Sequence, residues 1–332
     1  MLIGLLLAAA QVQALPVHVE GRVVREADGS FRFGWPAVYF EARFWGSAVA
    51  VAVESGTDFY RLLVDGRERL LLKRPVGGRL TVSGLAPGEH VVRLEKLTES
   101  QSGGGRFRGF FLAASGRRLS PPHHKGAVEF VGDSFTVGYG DTSSKRSCTA
   151  EEVHDTTDTQ RAFGPTVAKR LGLDYRVIAY SGFGIVRNYN GNRPGESLPL
   201  LYPRIIPGEP TPVEAARGAW RPKAIVVNLG TNDFSTPLHA GEAWASAEAL
   251  HAAYRAAYTQ FARRLMAAQP QARLVLMGGP TFAADVEAVA KALASPRVRT
   301  LRFGGLALDG CDWHPSLKDH EKVAALLEPL LN

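Results

Sequence analysis

The hydrophobic pattern of this chain changes period at Pro121-Pro122, and that change limits what each part can become. Before it, apolar runs are short and rich in β-branched and aromatic residues, at 19–24, 37–44, 48–53, 60–64, 69–73, 80–83, 90–96 and 107–113. Asp28-Gly29, Ser55-Gly56, Asp65-Gly66, Gly77-Gly78 and Pro87-Gly88 separate them as turn signals. Strands at that spacing predict an all-β domain over 17–120, a sandwich or jelly roll. After it, strands predicted at 127–131, 175–180, 224–229, 273–277 and 298–303 alternate with helices at 161–171, 245–268, 283–293 and 317–330. That order predicts a mostly parallel sheet with helices on both faces, an α/β three-layer domain over 123–332. In the long helix, Ala249, Ala252, Ala253, Ala256 and Ala257 mark a close-packing face, with Ser246 as its cap. A chain of 332 residues has room for two such domains, each with its own core.

The formal charge of +7 is mostly scattered arginine, with no basic run interleaved with aromatics, which argues against a nucleic-acid partner. Residues 2–10 form an apolar run of signal-peptide length, and Val12-Gln13-Ala14 supplies small residues for cleavage. The segment 1–14 is therefore expected to be an export signal, with Ala14 the last residue removed and the mature protein secreted or periplasmic. A membrane anchor would need ~20 apolar residues, and Gln11 and Gln13 interrupt the run well before that. The two cysteines, Cys148 and Cys311, have no metal-ligand spacing. His123-His124 reads as a solvated pair in the linker, so no metal site is expected.

The first α/β strand leads into Gly132-Asp133-Ser134, and a serine at the carboxyl end of a central strand stands where open α/β sheets bind ligands. Three more clusters fall at strand ends or before the last helix: Ser181-Gly182-Phe183-Gly184 followed by Arg187-Asn188, Gly230-Thr231-Asn232-Asp233, and Asp312-Trp313-His314-Pro315-Ser316. Chemically these are a nucleophile (Ser134), a base (His314), an acid to orient the base (Asp312), and oxyanion donors in the backbone N–H groups of Ser134 and Gly184 and the amide of Asn232. Serine is a poor nucleophile until a histidine takes its proton, and the tetrahedral intermediate needs donors already in place. Taken singly, each has a plainer explanation: a turn at Gly184, a cap at Asn232 or at His314. Four pieces in order carry the reading.

Together these blocks resemble those of the SGNH, or GDSL-type, hydrolases. The longer strings VEFVGDSFTVGYG, YSGFGIVRN, VVNLGTNDF and CDWHPSLKDH are similar to carbohydrate esterase family two, which also carries an N-terminal β-sandwich jelly roll. The resemblance implies a secreted serine esterase that removes O-acetyl groups from acetylated polysaccharides or oligosaccharides of the plant cell wall, such as xylan and glucomannan. It implies no metal or organic cofactor. It assigns Ser134 as nucleophile, His314 as base, and Ser134, Gly184 and Asn232 as the oxyanion hole, with Gly182 the alternative glycine. The superfamily has an aspartate three residues before the histidine. Here that position is Cys311 and the acid, Asp312, is two residues before, so a dyad held by a backbone carbonyl stays open beside the triad. Trp313 and Tyr139 are candidates for stacking on a sugar ring or for packing.

The same machinery would serve a lipase, a thioesterase or a peptidoglycan O-acetyl esterase. From another class, a decayed hydrolase acting as a non-catalytic carbohydrate-binding protein is the alternative, which the intact Ser134, Asn232 and His314 argue against. Cys148 and Cys311 lie in loops expected at one sheet edge, either bridged, as export would permit, or as two buried thiols.

Overall fold

A computed structural model describes residues 13–112, 116–209 and 220–332. The apolar run at 2–10 lies outside the described residues, and Gln13–Ala14 pairs with Leu112 and Phe111 as a short edge strand. Among the described residues no helix is long and apolar enough to cross a membrane.

Upstream of the linker the strands build two six-stranded antiparallel sheets. Five strands of the first run Val23–Arg25, Phe31–Phe33, Gly105–Leu112, Val49–Glu54, Leu80–Val82 in spatial order, and five of the second Arg117–Leu119, Tyr39–Gly46, Gly88–Lys96, Phe59–Val64, Arg67–Lys73; the sixth strands, Gln13–Ala14 and His18–Glu20, pair with Gly105–Leu112 and Tyr39–Gly46. Alternation along the strands sends one face inward. Phe33, Val51 and Phe107 of the first sheet meet Phe40, Leu62 and Val92 of the second in one core. Phe40 stacks on Phe107 at 4.0 Å between ring centroids. Burying such a side chain contributes roughly 1.5–3 kcal/mol.

Downstream, five parallel strands lie in the order Asp174–Ala179, Ala127–Gly132, Ala224–Asn228, Arg273–Gly278, Val298–Arg302. Every residue of Ala127–Gly132 and of Ala224–Asn228 is buried, so the centre of the sheet is covered on both faces. Phe163–Leu171 packs with Leu317–Leu331, and Ala247–Ala268 packs with Ala283–Leu293. The register sets Gly132 beside Ala179 on one side and Asn228 on the other. The loops leaving these three strands therefore emerge at one edge of the sheet.

The long helix starts where Ser246 accepts the Ala249 N–H at 3.2 Å, as expected. Its packing face is not the alanine face. Leu250, Tyr254, Tyr258, Phe261, Ala262 and Leu265 are buried, whereas Ala249, Ala252 and Ala256 are exposed. The larger side chains remove more apolar area from water, and their stripe decides the rotation of the helix.

The two parts are closely joined. Trp35, Ala37 and Tyr39 belong to the core of the α/β part, and Trp35 donates its indole N–H to the Arg204 carbonyl at 3.0 Å. Glu129, buried in the central strand, is paired with Arg22 at 3.1 Å and accepts from the Tyr202 hydroxyl at 2.7 Å. Arg22 comes from the sandwich side, so a buried charge is satisfied across the junction.

Candidate active site

The central strand ends at Gly132, where a Cβ would lie 1.9 Å from the Thr136 hydroxyl, so only glycine lets the chain turn here. Asp133 caps the next turn, accepting the Phe135 N–H at 3.0 Å, and Ser134 opens the helical turn Ser134–Val137. Ser134 is 6% exposed, and His314 Nε2 lies 2.8 Å from its hydroxyl. The two residues, far apart in sequence, are in direct hydrogen-bond contact.

The other imidazole nitrogen does not meet a carboxylate. Nδ1 of His314 is 3.0 Å from the Cys311 carbonyl and 3.1 Å from the Asp312 carbonyl. The Asp312 carboxylate instead accepts from the Tyr139 hydroxyl at 3.1 Å. This corrects the expectation that Asp312 orients the base through its side chain. The cause is local: Asp312 and Trp313 hold φ of 49° and 57°, the left-handed region, inside the one-turn helix Cys311–Trp313. That turn brings main-chain carbonyls onto the ring and leaves the aspartate side chain on Tyr139. Two carbonyl acceptors on Nδ1 fix the tautomer with its proton there, leaving Nε2 to accept from the serine. Burial pushes the imidazole below its ordinary pKa, while the two carbonyls and the Asp312 charge oppose that shift.

The Tyr139 ring lies 4.4 Å from the imidazole, and Phe135 meets it edge-on at 5.4 Å. Tyr139 thus packs on the imidazole and is half-buried there. Trp313 is 61% exposed beside His314.

The loop bearing His314 is fastened to the loop that follows Ser134. Cys148 and Cys311 are joined in a disulfide with Cα atoms 5.5 Å apart. The Cys311 N–H donates to the Gly140 carbonyl at 3.2 Å, and Asp312 N–H to the Arg146 carbonyl at 2.5 Å. At Gly140, with φ of 57°, a Cβ would lie 2.4 Å from Cys311 Cβ, so the approach needs glycine. Replacing both cysteines by alanine is expected to cost about 2–4 kcal/mol of stability and to lower kcat by loosening the base loop. Urea unfolding and ester turnover of the double variant check this, and unchanged values for both would show the bridge to be idle.

Of the oxyanion candidates, the structure removes Gly184. Its N–H donates to Asn188 Oδ1 at 3.1 Å, and a Cβ there would lie 2.2 Å from the Arg187 carbonyl. The loop folds around Gly184, which is thus enclosed rather than open to a ligand. Gly182 has φ of 84° and open space where a Cβ would be. Among the described residues, no protein acceptor takes the N–H of Gly182 or of Ser134. Asn232 donates from Nδ2 to the Phe183 carbonyl at 2.9 Å, and its second hydrogen has only a long contact, 3.4 Å, to Asp133. Burial pushes Asp133 up to about 7.

Several residues that shape the site have no role of their own in the sequence reading. Asp233, raised to about 6 by burial against three opposing N–H bonds, accepts from Ile185, Val186 and Arg187 and so holds the glycine loop. Its place next to Asn232 was the available signal. Arg187, fully buried, grips Glu242 through two bonds of 2.6 and 2.9 Å and the Pro237 carbonyl at 2.9 Å. From the sandwich, Ser100 donates to the Ala179 carbonyl at 3.0 Å, Gln101 to the Ser181 carbonyl, and Glu99 accepts from the Ser181 hydroxyl. The glycine loop is therefore braced from the other domain.

Against known proteins, residues 19–122 match the carbohydrate esterase 2 N-terminal family, and residues 130–306 the GDSL-like lipase/acylhydrolase family. An acetylxylan esterase/glucomannan deacetylase of Cellvibrio japonicus (strain Ueda107) is 43% identical over 333 residues, covering 97% of this chain and 92% of that protein. A solved carbohydrate esterase, described as having an active site with divergent catalytic and non-catalytic binding functions, aligns with TM-score 0.90 at 42% identity, covering 96% of this chain and 98% of the other. A family two carbohydrate esterase from Clostridium thermocellum, solved with cellohexaose, aligns with TM-score 0.83 at 26% identity, covering 95% and 98%. With both domains matched along one chain, this protein belongs to the family two carbohydrate esterases, its α/β part being a GDSL-like acylhydrolase domain.

Proposed function

We propose that this esterase is exported and removes O-acetyl groups from cell-wall polysaccharides, xylan and glucomannan, through a Ser134–His314 dyad. The observation that carries the reading is the 2.8 Å contact of His314 Nε2 with the Ser134 hydroxyl, beside an imidazole held only by main-chain carbonyls. Ser134 Oγ attacks the acetyl carbonyl while Nε2 takes its proton. The N–H groups of Ser134 and Gly182 and the Asn232 amide stabilise the oxyanion. His314 then returns the proton to the departing sugar oxygen, leaving acetyl-Ser134. A water, deprotonated at Nε2, releases acetate and restores the serine.

The domains are taken as a jelly-roll sandwich over 17–120 and a hydrolase domain over 123–332, after a signal at 1–14 whose removal would also take away the short edge strand Gln13–Ala14. Trp313, exposed beside the base, is the proposed platform for a pyranose ring, whereas Tyr139 acts mainly on His314 and Asp312. The substrate assignment draws on the Cellvibrio japonicus relative. Acetate release measured side by side from acetylated xylan, glucomannan, chitin and peptidoglycan tests it. Release from the first two should dominate, and preference for either of the others would overturn the substrate class.

The base works only as neutral imidazole, so kcat/KM falls when His314 is protonated. Because burial lowers its pKa below the ordinary 6.5, the loss comes at lower pH than for a free histidine. Turnover of an activated acetate ester should fall to half only below pH 6.5, and a midpoint above 6.5 would contradict the account. Asn232→Ala should cost on the order of 10²–10³ in kcat with little change in KM. A KM effect alone would make Asn232 a binding residue.

A further inference from the structure

At the opposite end of the central sheet, His18, His124 and Asp174 converge from three parts of the chain. His18 lies in the sandwich strand His18–Glu20, His124 in the linker, and Asp174 at the start of the strand Asp174–Ala179. His18 Nε2 is 2.9 Å and His124 Nε2 3.7 Å from the same oxygen, Asp174 Oδ1. One ligand atom from each of the three residues lies within 4.8 Å of the others. Glu41 adds a second carboxylate, its Oε2 2.7 Å from His124 Nε2, while Arg93 occupies its other oxygen at 2.7 Å. The linker histidine is thus not the solvated residue its Pro-rich context suggested.

We infer that this cluster is a binding site for a zinc-class divalent cation that clamps the sandwich to the hydrolase domain. Two imidazoles and a carboxylate are a borderline-soft donor set, which favours zinc over magnesium or calcium. Zinc–nitrogen and zinc–oxygen bonds of about 2.0–2.2 Å in a tetrahedron set ligand atoms roughly 3.3 Å apart. The side chains need only small shifts to reach that spacing. Tyr39 also donates to Asp174 Oδ1, at 2.5 Å, so two donors, His18 and Tyr39, already share one carboxylate oxygen while His124 stands 3.7 Å from it. A dication replaces the protons on the two Nε2 atoms, and Glu41 Oε2 or a water completes the fourth position. Side-chain exposures of 22% for His18, 19% for His124 and 13% for Asp174 leave a path for entry.

The role is structural. Asp174 pairs with Ala127, and Ala179 pairs with Gly132, so the length of the strand separates the cluster from Ser134, roughly 16 Å at about 3.3 Å per residue. Turnover should therefore not depend on the ion.

The test is a zinc titration of the chelator-stripped full chain at pH 7.5 against a chromophoric zinc chelator, with Tm followed in parallel. One zinc per chain and a raised Tm are expected. His18→Gln and His124→Gln should each weaken zinc binding at least tenfold and abolish the rise in Tm, while His123→Ala leaves both intact. Ester turnover by all three variants, unchanged from the parent, certifies that each is folded. Absence of zinc binding, or binding that persists in the His18→Gln/His124→Gln double variant, would overturn the inference. Loss of turnover on zinc removal would overturn its structural role.

Discussion

Ser134→Ala is expected to lower kcat on an activated acetate ester by at least about 10⁴, since losing the nucleophile of a hydroxyl–imidazole pair removes covalent catalysis and leaves only the oxyanion donors. The substitution deletes one oxygen at a site 6% exposed and leaves the Asp133 cap on Phe135 in place, so the fold should persist. KM should change little, because the hydroxyl works in the transition state rather than in holding the sugar. The comparison of kcat, KM and Tm between parent and variant checks all three. More than a tenth of the parent rate would remove Ser134 from the mechanism. A lectin-like protein with an idle hydrolase domain would show no serine-dependent rate to lose.

The second large effect separates the base from its neighbour. His314→Ala should lose nearly as much activity as Ser134→Ala, since the serine then has no group to take its proton. Asp312→Asn and Asp312→Ala should each lose less than about tenfold. In a triad, loss of the acid would cost far more, about 10⁴ in a serine protease with an aspartate on Nδ1. Here the main-chain carbonyls of Cys311 and Asp312 occupy Nδ1, and they survive both substitutions. Asp312 loses only its contact with Tyr139, whose ring rests on the imidazole, so a modest effect is expected. A loss of several thousandfold in Asp312→Asn, with Tm unchanged, would restore the aspartate to the catalytic set.

The α/β alternation was legible because each strand is a short apolar run closed by glycine or a polar turn. The register that aligns Gly132, Ala179 and Asn228 then brings Ser134, Gly182 and Asn232 out at one edge. The short helix Ala150–Thr156 was not legible. Only Val153 of it is buried, so it lacks an apolar stripe, and it is set by a reciprocal cap between Thr149 and Glu152. The glycine assignment failed at Gly184 for a different reason. Its enclosure depends on Asn188 and on Asp233 from another strand end, contacts that spacing cannot foretell. The orientation of Asp312 was hidden because it turns on two consecutive left-handed residues, a conformation neither aspartate nor tryptophan announces. The bracing by Glu99, Ser100 and Gln101 crosses between domains, and nothing local marks it.

The central claim is that one serine, activated by one histidine, carries the acyl group. Intact mass and peptide mapping after reaction with an excess of a fluorophosphonate ester test it most directly, because this reagent captures only a serine whose proton a neighbouring base removes. The account predicts a single adduct per chain, mapped to Ser134, formed at near-parent rate in Asp312→Asn and not formed in His314→Ala. An adduct on any other residue, or equal labelling of Ser134 in the absence of His314, would contradict it.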